Sequence, residues 1–170
     1  MTGYAIALAV GFICMIFGGV AGWYFTGRKY CILLSSSNDL VRKSQEIIRL
    51  YDVWMMANES GKSIGQFLKK QNITKIAVYG MASLGVRLCY EIQREDNIEV
   101  KYALDQNPQV QIPNIEIYKP GAKISEMVDA VIVTALRSYD AVSADLQRRG
   151  YTKIFALDEI LYDMMTEGEK

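Results

Sequence analysis

KIAVYGMASLG, Lys75 to Gly85, decides the fold of this chain. Its first half, KIAVY, is a short apolar run rich in β-formers. The glycine-bounded turn Gly80-Met81-Ala82-Ser83-Leu84-Gly85 follows, and VRLCYEIQRE after it has helical character. The order strand, glycine turn, helix is then extended downstream. A second strand is expected at about Ile98 to Leu104, a third around Glu116 to Tyr118 and a fourth at Ala130 to Thr134. A helix over about Tyr139 to Arg149 and a fifth strand at Lys153 to Leu157 complete the pattern. Strands alternating with helices in this way predict an α/β fold, a small doubly wound parallel sheet of about five strands.

The chemistry available at the turn is backbone chemistry. Gly80 permits a tight bend, peptide N–H groups near Ala82 and Ser83 can point outward, and the positive end of the following helix favours a phosphate. Gly85 lets that helix sit close on the first strand. Asp105 closes the second strand 25 residues after Gly80, where a carboxylate can accept hydrogen bonds from ribose hydroxyls. Thr134 and Arg137 stand at the carboxyl end of the fourth strand, near the expected switch in strand order. The set Gly80, Ala82, Ser83, Gly85, Asp105, Thr134 and Arg137 is therefore the candidate cofactor-binding site. The pattern departs from GxGxxG in one place: Ala82 replaces the middle glycine, and its Cβ occupies the space where a pyrophosphate would approach. In the alternative reading the turn merely closes the fold, with Ser83 as an N-cap and Asp105 as a turn residue.

Upstream, Ser63 opens a short helix, SIGQFLKKQN, that leads into the first strand. Before it, Leu40, Val41, Ile47, Ile48, Leu50, Tyr51, Val53, Trp54 and Met55 recur at mostly helical spacing after the cap candidates of residues 35–38. This predicts an amphipathic helix to about Ala57, with Arg42, Lys43, Glu46 and Arg49 on its solvated side. Nearest the N-terminus, Tyr4 to Phe25 carries no charged side chain and as a helix would be about 33 Å long, matching a hydrocarbon core of about 30 Å. Trp23, Tyr24 and Phe25 at its end, then Arg28 and Lys29, place that end on the cytoplasmic side. A cleaved signal peptide would need its positive charges before the apolar run. Gly18 and Gly22 form a GxxxG pair through which two such helices could approach. The expected organisation is an anchor over residues 1–27, a juxtamembrane segment and amphipathic helix over 28–62, the α/β domain over 63–165 and a tail from 166 to 170.

Composition limits the chemistry. Lys plus Arg equals Asp plus Glu at 19 each, so no global field draws the chain to nucleic acid. The sequence has no histidine, which removes imidazole bases and the usual nitrogen ligands of metals. Cys14, Cys31 and Cys89 lie far apart and form no disulfide framework or metal-ligand pattern. Gly80 and Gly85 have the glycine spacing of a phosphate loop, but Val86 and Arg87 stand where its Lys and Ser or Thr are required. No tyrosine meets the Tyr-x-x-x-Lys pattern of short-chain dehydrogenase-like epimerases: Tyr90 is followed four places on by Arg94, and Tyr51 by Met55.

IAVYGMASLGVRL, VKYALDQN, VDAVIVTALRSYD and the closing IFALDEIL together resemble the Rossmann-like NAD(P)- or nucleotide-sugar-type domain of bacterial capsule and other surface-polysaccharide biosynthesis proteins. The resemblance runs over about Trp54 to Leu161. It implies a supporting role in sugar-nucleotide metabolism, with NAD(P) or a nucleotide sugar as ligand and a glycosyltransferase or other polysaccharide-biosynthesis enzyme as partner. The expectation is a single-pass, membrane-tethered accessory or regulatory module. Its N-terminus would lie outside and its soluble domain in the cytoplasm, and it would be able to form a homodimer. Two alternatives stay open: a minimal NAD(P)-dependent sugar-modifying enzyme completed by a partner chain, using Tyr139, Asp140 or Cys89, and a non-binding scaffold for membrane protein assembly.

Overall fold

The computed structural model describes residues 41–107 and 110–166. The apolar stretch Tyr4–Phe25, the Gly18 and Gly22 pair, Cys14, Cys31, the cap candidates of residues 35–38, Leu40 and the tail beyond Thr166 lie outside the described residues. Among the described residues no helix is long and apolar enough to cross a membrane. The chain divides into two compact units, Met1–Glu46 and Ile47–Lys170. The first helix, α1 (41–59), contributes its opening residues to the former and the rest to the latter.

From Ile47 onward the fold is α/β. Helix α2 (Ile64–Lys70) precedes β1 (Lys75–Tyr79), α3 (Ser83–Ile92), β2 (Glu99–Leu104), β3 (Glu116–Tyr118) and β4 (Ala130–Val133). A 3-10 turn (Leu136–Ser138), α4 (Tyr139–Arg148), β5 (Ile154–Ala156) and α5 (Leu157–Thr166) complete it. The five strands are all parallel, in the order β3-β2-β1-β4-β5. The strand order reverses between β1 and β4, so the carboxyl ends of those two strands flank a crevice in which α/β proteins commonly bind ligands.

Period-two alternation builds two cores from one sheet. Ile76 and Val78 face a large core with Leu50, Trp54 and Ala57 of α1, Leu68 of α2, Leu84 and Leu88 of α3, and Leu157 and Ile160 of α5. Ala77 and Tyr79 face the opposite layer, with Val142 and Leu146 of α4. A register shift after Ile76 skips Lys101, which is why Val100 and Ala103, three apart, share the first face. Helix α1 buries a narrower stripe than its sequence suggests. Only Leu50, Trp54 and Ala57 go under, one helical turn apart, while Val41, Ile48 and Met55 stay exposed.

At the amino-terminal edge of the sheet, Asp129 clamps β1 to β4. Its Oδ2 accepts from the Thr74 N–H at 2.9 Å, the Lys75 N–H at 2.8 Å and the Thr74 hydroxyl at 3.1 Å. The backbone bonds from Thr74 and then Lys75 hold this carboxyl below its ordinary range. A folded-state value below the unfolded one gives stability that is present above the unfolded carboxylate range of about 4 and is lost as pH falls through the folded value. Asp129 is exposed, so solvent screening limits the effect. Asp129→Ala should therefore lower stability at pH 7 by about 1 kcal/mol. Urea unfolding from pH 7 down to pH 3 should show the gap between variant and parent closing in acid, whereas a gap independent of pH would remove the charge from the explanation.

Candidate functional site

The glycine turn at the end of β1 is held by the carboxyl ends of β2 and β4. Gly80 takes φ +98°, a conformation that suits glycine. Its N–H donates to the Leu104 carbonyl of β2 at 2.8 Å, and the Thr134 hydroxyl donates to its carbonyl at 2.7 Å. Thr134, buried just past β4, also donates its own N–H to the Tyr79 carbonyl at 2.9 Å. Asp105 accepts the Met81 N–H on Oδ2 at 2.5 Å and the Asn107 N–H on Oδ1 at 2.8 Å, while its own N–H donates to the Tyr118 carbonyl of β3 at 2.9 Å.

Six of the seven residues expected at the site thus meet at the turn, in distinct roles. Gly80, Asp105 and Thr134 hydrogen-bond within it. Gly85 is what allows α3 to approach: a Cβ there would lie 1.9 Å from the Gly80 carbonyl oxygen. Ala82 takes the N-cap position of α3 with no side-chain bond, and Ser83 is the first helical residue, not the cap. The difference is physical, because Ala82 has the extended backbone of a cap (φ −75°, ψ −170°) although its side chain cannot accept a hydrogen bond. Ala82 and Ser83 are both exposed, so the start of α3 faces solvent. Arg137, exposed in the 3-10 turn after β4, does not line the cavity beside the glycine turn.

That cavity, of about 870 Å³, lies on the α1 side of the turn and runs along α3. Met81, Ala82 and Ser83 form its floor at the turn. Arg87, Tyr90, Glu91 and Arg94 line it from α3 and the residues just beyond, Tyr51 and Asn58 from α1, Ser63 from the cap of α2, and Val110 from the segment after β2. Arg87 is held by π-faces: its guanidinium carbon is 5.5 Å from the Trp54 ring centroid and 5.9 Å from that of Tyr51, and the two rings stack at 6.3 Å. Glu91 is committed elsewhere, accepting the Trp54 indole N–H at 2.6 Å and the Ile64 N–H at 3.3 Å. Two arginines against one glutamate leave the lining net positive, and Tyr51 and Tyr90 give it aromatic walls.

The expected site does not include Arg87, Arg94, Tyr51 or Tyr90. The signal that could have found three more lining positions is spacing: Ser83, Arg87, Tyr90 and Arg94 recur at helical intervals in the sequence, although α3 ends at Ile92 and Arg94 lies in the turn beyond it.

The residues weighed for catalysis do not assemble. Cys89 is fully buried in the core, and burial pushes its thiol up to about 12, so it is inert as a nucleophile near neutral pH. Tyr139 is half-buried, with its hydroxyl raised above its ordinary range by burial and then by Glu159, and it donates to the Ile154 carbonyl at 3.3 Å. Asp140 sits exposed in the first turn of α4. None of the three lines the cavity. Among the described residues no cluster of three His, Cys, Asp or Glu side chains could hold a metal ion. No protein-family model, curated protein or solved structure matches the chain.

Proposed function

We propose that this chain is a membrane-tethered accessory or regulatory module of surface-polysaccharide biosynthesis. Its Rossmann-like, doubly wound domain binds NAD(P) or a nucleotide sugar. In this reading Tyr4 to Phe25 spans the bilayer, Arg28 and Lys29 mark its cytoplasmic end, and the domain meets a glycosyltransferase or a second copy at the membrane surface. The observation that carries it is the meeting of the glycine turn, at the reversal of strand order, with a large cationic cavity along α3.

The scaffold reading draws on a different observation. The Met81 N–H, the Thr134 hydroxyl and both Asp105 oxygens are engaged inside the protein, so the turn is self-sufficient without a ligand.

Thermal unfolding of the full chain in mild detergent separates the two, with NAD(H), NADP(H) and common nucleotide sugars each added in excess. A ligand at 100 times its dissociation constant should stabilise the domain by about 2.7 kcal/mol, a shift of several degrees. Gly80→Val, which puts bulk at a positive-φ position 2.8 Å from the Thr134 hydroxyl, and the milder Asp105→Ala should both abolish that shift. Flat titrations across the panel would reject ligand binding and select the scaffold.

A further inference from the structure

We infer that the ligand's diphosphate lies inside the α1-side cavity beside α3, on Arg87 and Arg94, away from the crevice between β1 and β4. The inference rests on the nucleotide reading above and deepens it.

The charges in the cavity lead to this assignment. Arg87, Arg94 and Glu91 are its ionisable lining apart from tyrosine, and Glu91 already accepts two protein N–H groups. Arg87 has no carboxylate within ion-pair distance among the described residues. Tyr51 and Trp54 orient its guanidinium through their ring faces, and its N–H donors meet no hydrogen-bond acceptor among the described residues. A planar fork of donors, pre-positioned by two rings, suits a phosphate oxygen pair. Arg94, in the turn just past the end of α3 at Ile92, lines the same cavity. Two arginines lining one cavity can share the charge of adjacent phosphates. The crevice beyond β1 and β4 offers less: Thr134 is buried and its hydroxyl already donates to Gly80. Tyr90, exposed on the same side of α3, would flank the nucleoside or sugar end.

The test is isothermal titration of the full chain in detergent with UDP, ADP, inorganic pyrophosphate, uridine and adenosine. It is applied to the parent protein, Arg87→Ala, Arg94→Ala and, as a remote control, Arg148→Ala, whose arginine pairs with Asp145 on α4. Each cavity variant should weaken UDP or ADP by about tenfold, and Arg87→Lys should recover part of the loss. Pyrophosphate should compete, nucleosides should bind weakly and equally to all, and raised salt should weaken only the diphosphates. Diphosphate affinities unchanged in both cavity variants would overturn the assignment while leaving nucleotide binding intact. Absence of nucleotide binding to the parent would overturn both.

Discussion

Gly85→Ala should destabilise the domain by about 3 kcal/mol and lower its Tm by roughly 10 °C, although alanine is the better helix former. The added Cβ would sit 1.9 Å from the Gly80 carbonyl oxygen, 3.0 Å from the carbonyl carbon and 3.2 Å from the Thr134 hydroxyl oxygen. The first two are backbone atoms, so no rotamer change relieves the clash. One of two things must move. If α3 lifts, Leu84 and Leu88 are drawn from the core they share with Ile76 and Val78. If the turn shifts, the Gly80 bonds to Leu104 and Thr134 are lost, and Met81 is pulled from Asp105. Helix propensity alone predicts a gain of up to about 1 kcal/mol, so the sign of the measured change decides which effect dominates. Gly150→Ala is the internal control. Gly150 has φ +95°, and a Cβ there would meet nothing within 4 Å, so the cost should be only the backbone strain of about 1–2 kcal/mol. Urea unfolding of the two variants beside the parent is sufficient, and a Gly85→Ala protein as stable as the parent would mean that α3 does not approach β1 this closely.

Gly85 is readable in the sequence because close approach of a helix to its preceding strand demands absence of bulk, and absence of bulk is a residue type. The strands are legible for a similar reason: KIAVY and AVIV are apolar β-forming runs, buried on both faces. Their ends are less so. Val133 ends β4, and Thr134, expected as its last residue, turns its hydroxyl onto Gly80 instead. Leu157, expected to end a strand, opens α5, because the apolar run of β5 passes into LDEILYDMMT with no capping or breaking residue between them. The stripe on α1 fails in another way. Eight apolar residues from Val41 to Met55 recur there at mostly helical spacing, but periodicity states only that one face is apolar, not how much of it a neighbour covers. The cavity is the least legible element. It needs α1 against α3, and the orientation of Arg87 depends on two rings more than thirty residues earlier in the chain.

Trp54→Ala should cost about 3–5 kcal/mol, the largest effect of any single truncation in α1. Trp54 is fully buried, the largest such side chain in the core, and its ring stacks on Tyr51 at an interplanar angle of 13°. Truncation removes that volume and also strips the Glu91 carboxylate of its 2.6 Å indole partner, leaving it only the longer bond from Ile64. Trp54→Phe separates the two losses. It keeps most of the ring and removes the N–H, so it should cost about 1–3 kcal/mol, with the difference from alanine reporting packing. The phenylalanine variant has a second consequence. Glu91 follows Arg87 by one helical turn, and a carboxylate released from the indole is free to pair with that guanidinium. Such pairing would neutralise the cavity's best-placed cation, so Trp54→Phe should weaken diphosphate binding by a factor approaching that of Arg87→Ala while leaving the fold largely intact. Denaturant unfolding gives the stability terms, and titration with UDP gives the binding term. A Trp54→Ala variant within about 1 kcal/mol of the parent would mean that α1 contributes little to the core. A Trp54→Phe variant that is destabilised yet binds UDP as tightly as the parent would mean that Glu91 stays away from Arg87 even when its indole partner is removed.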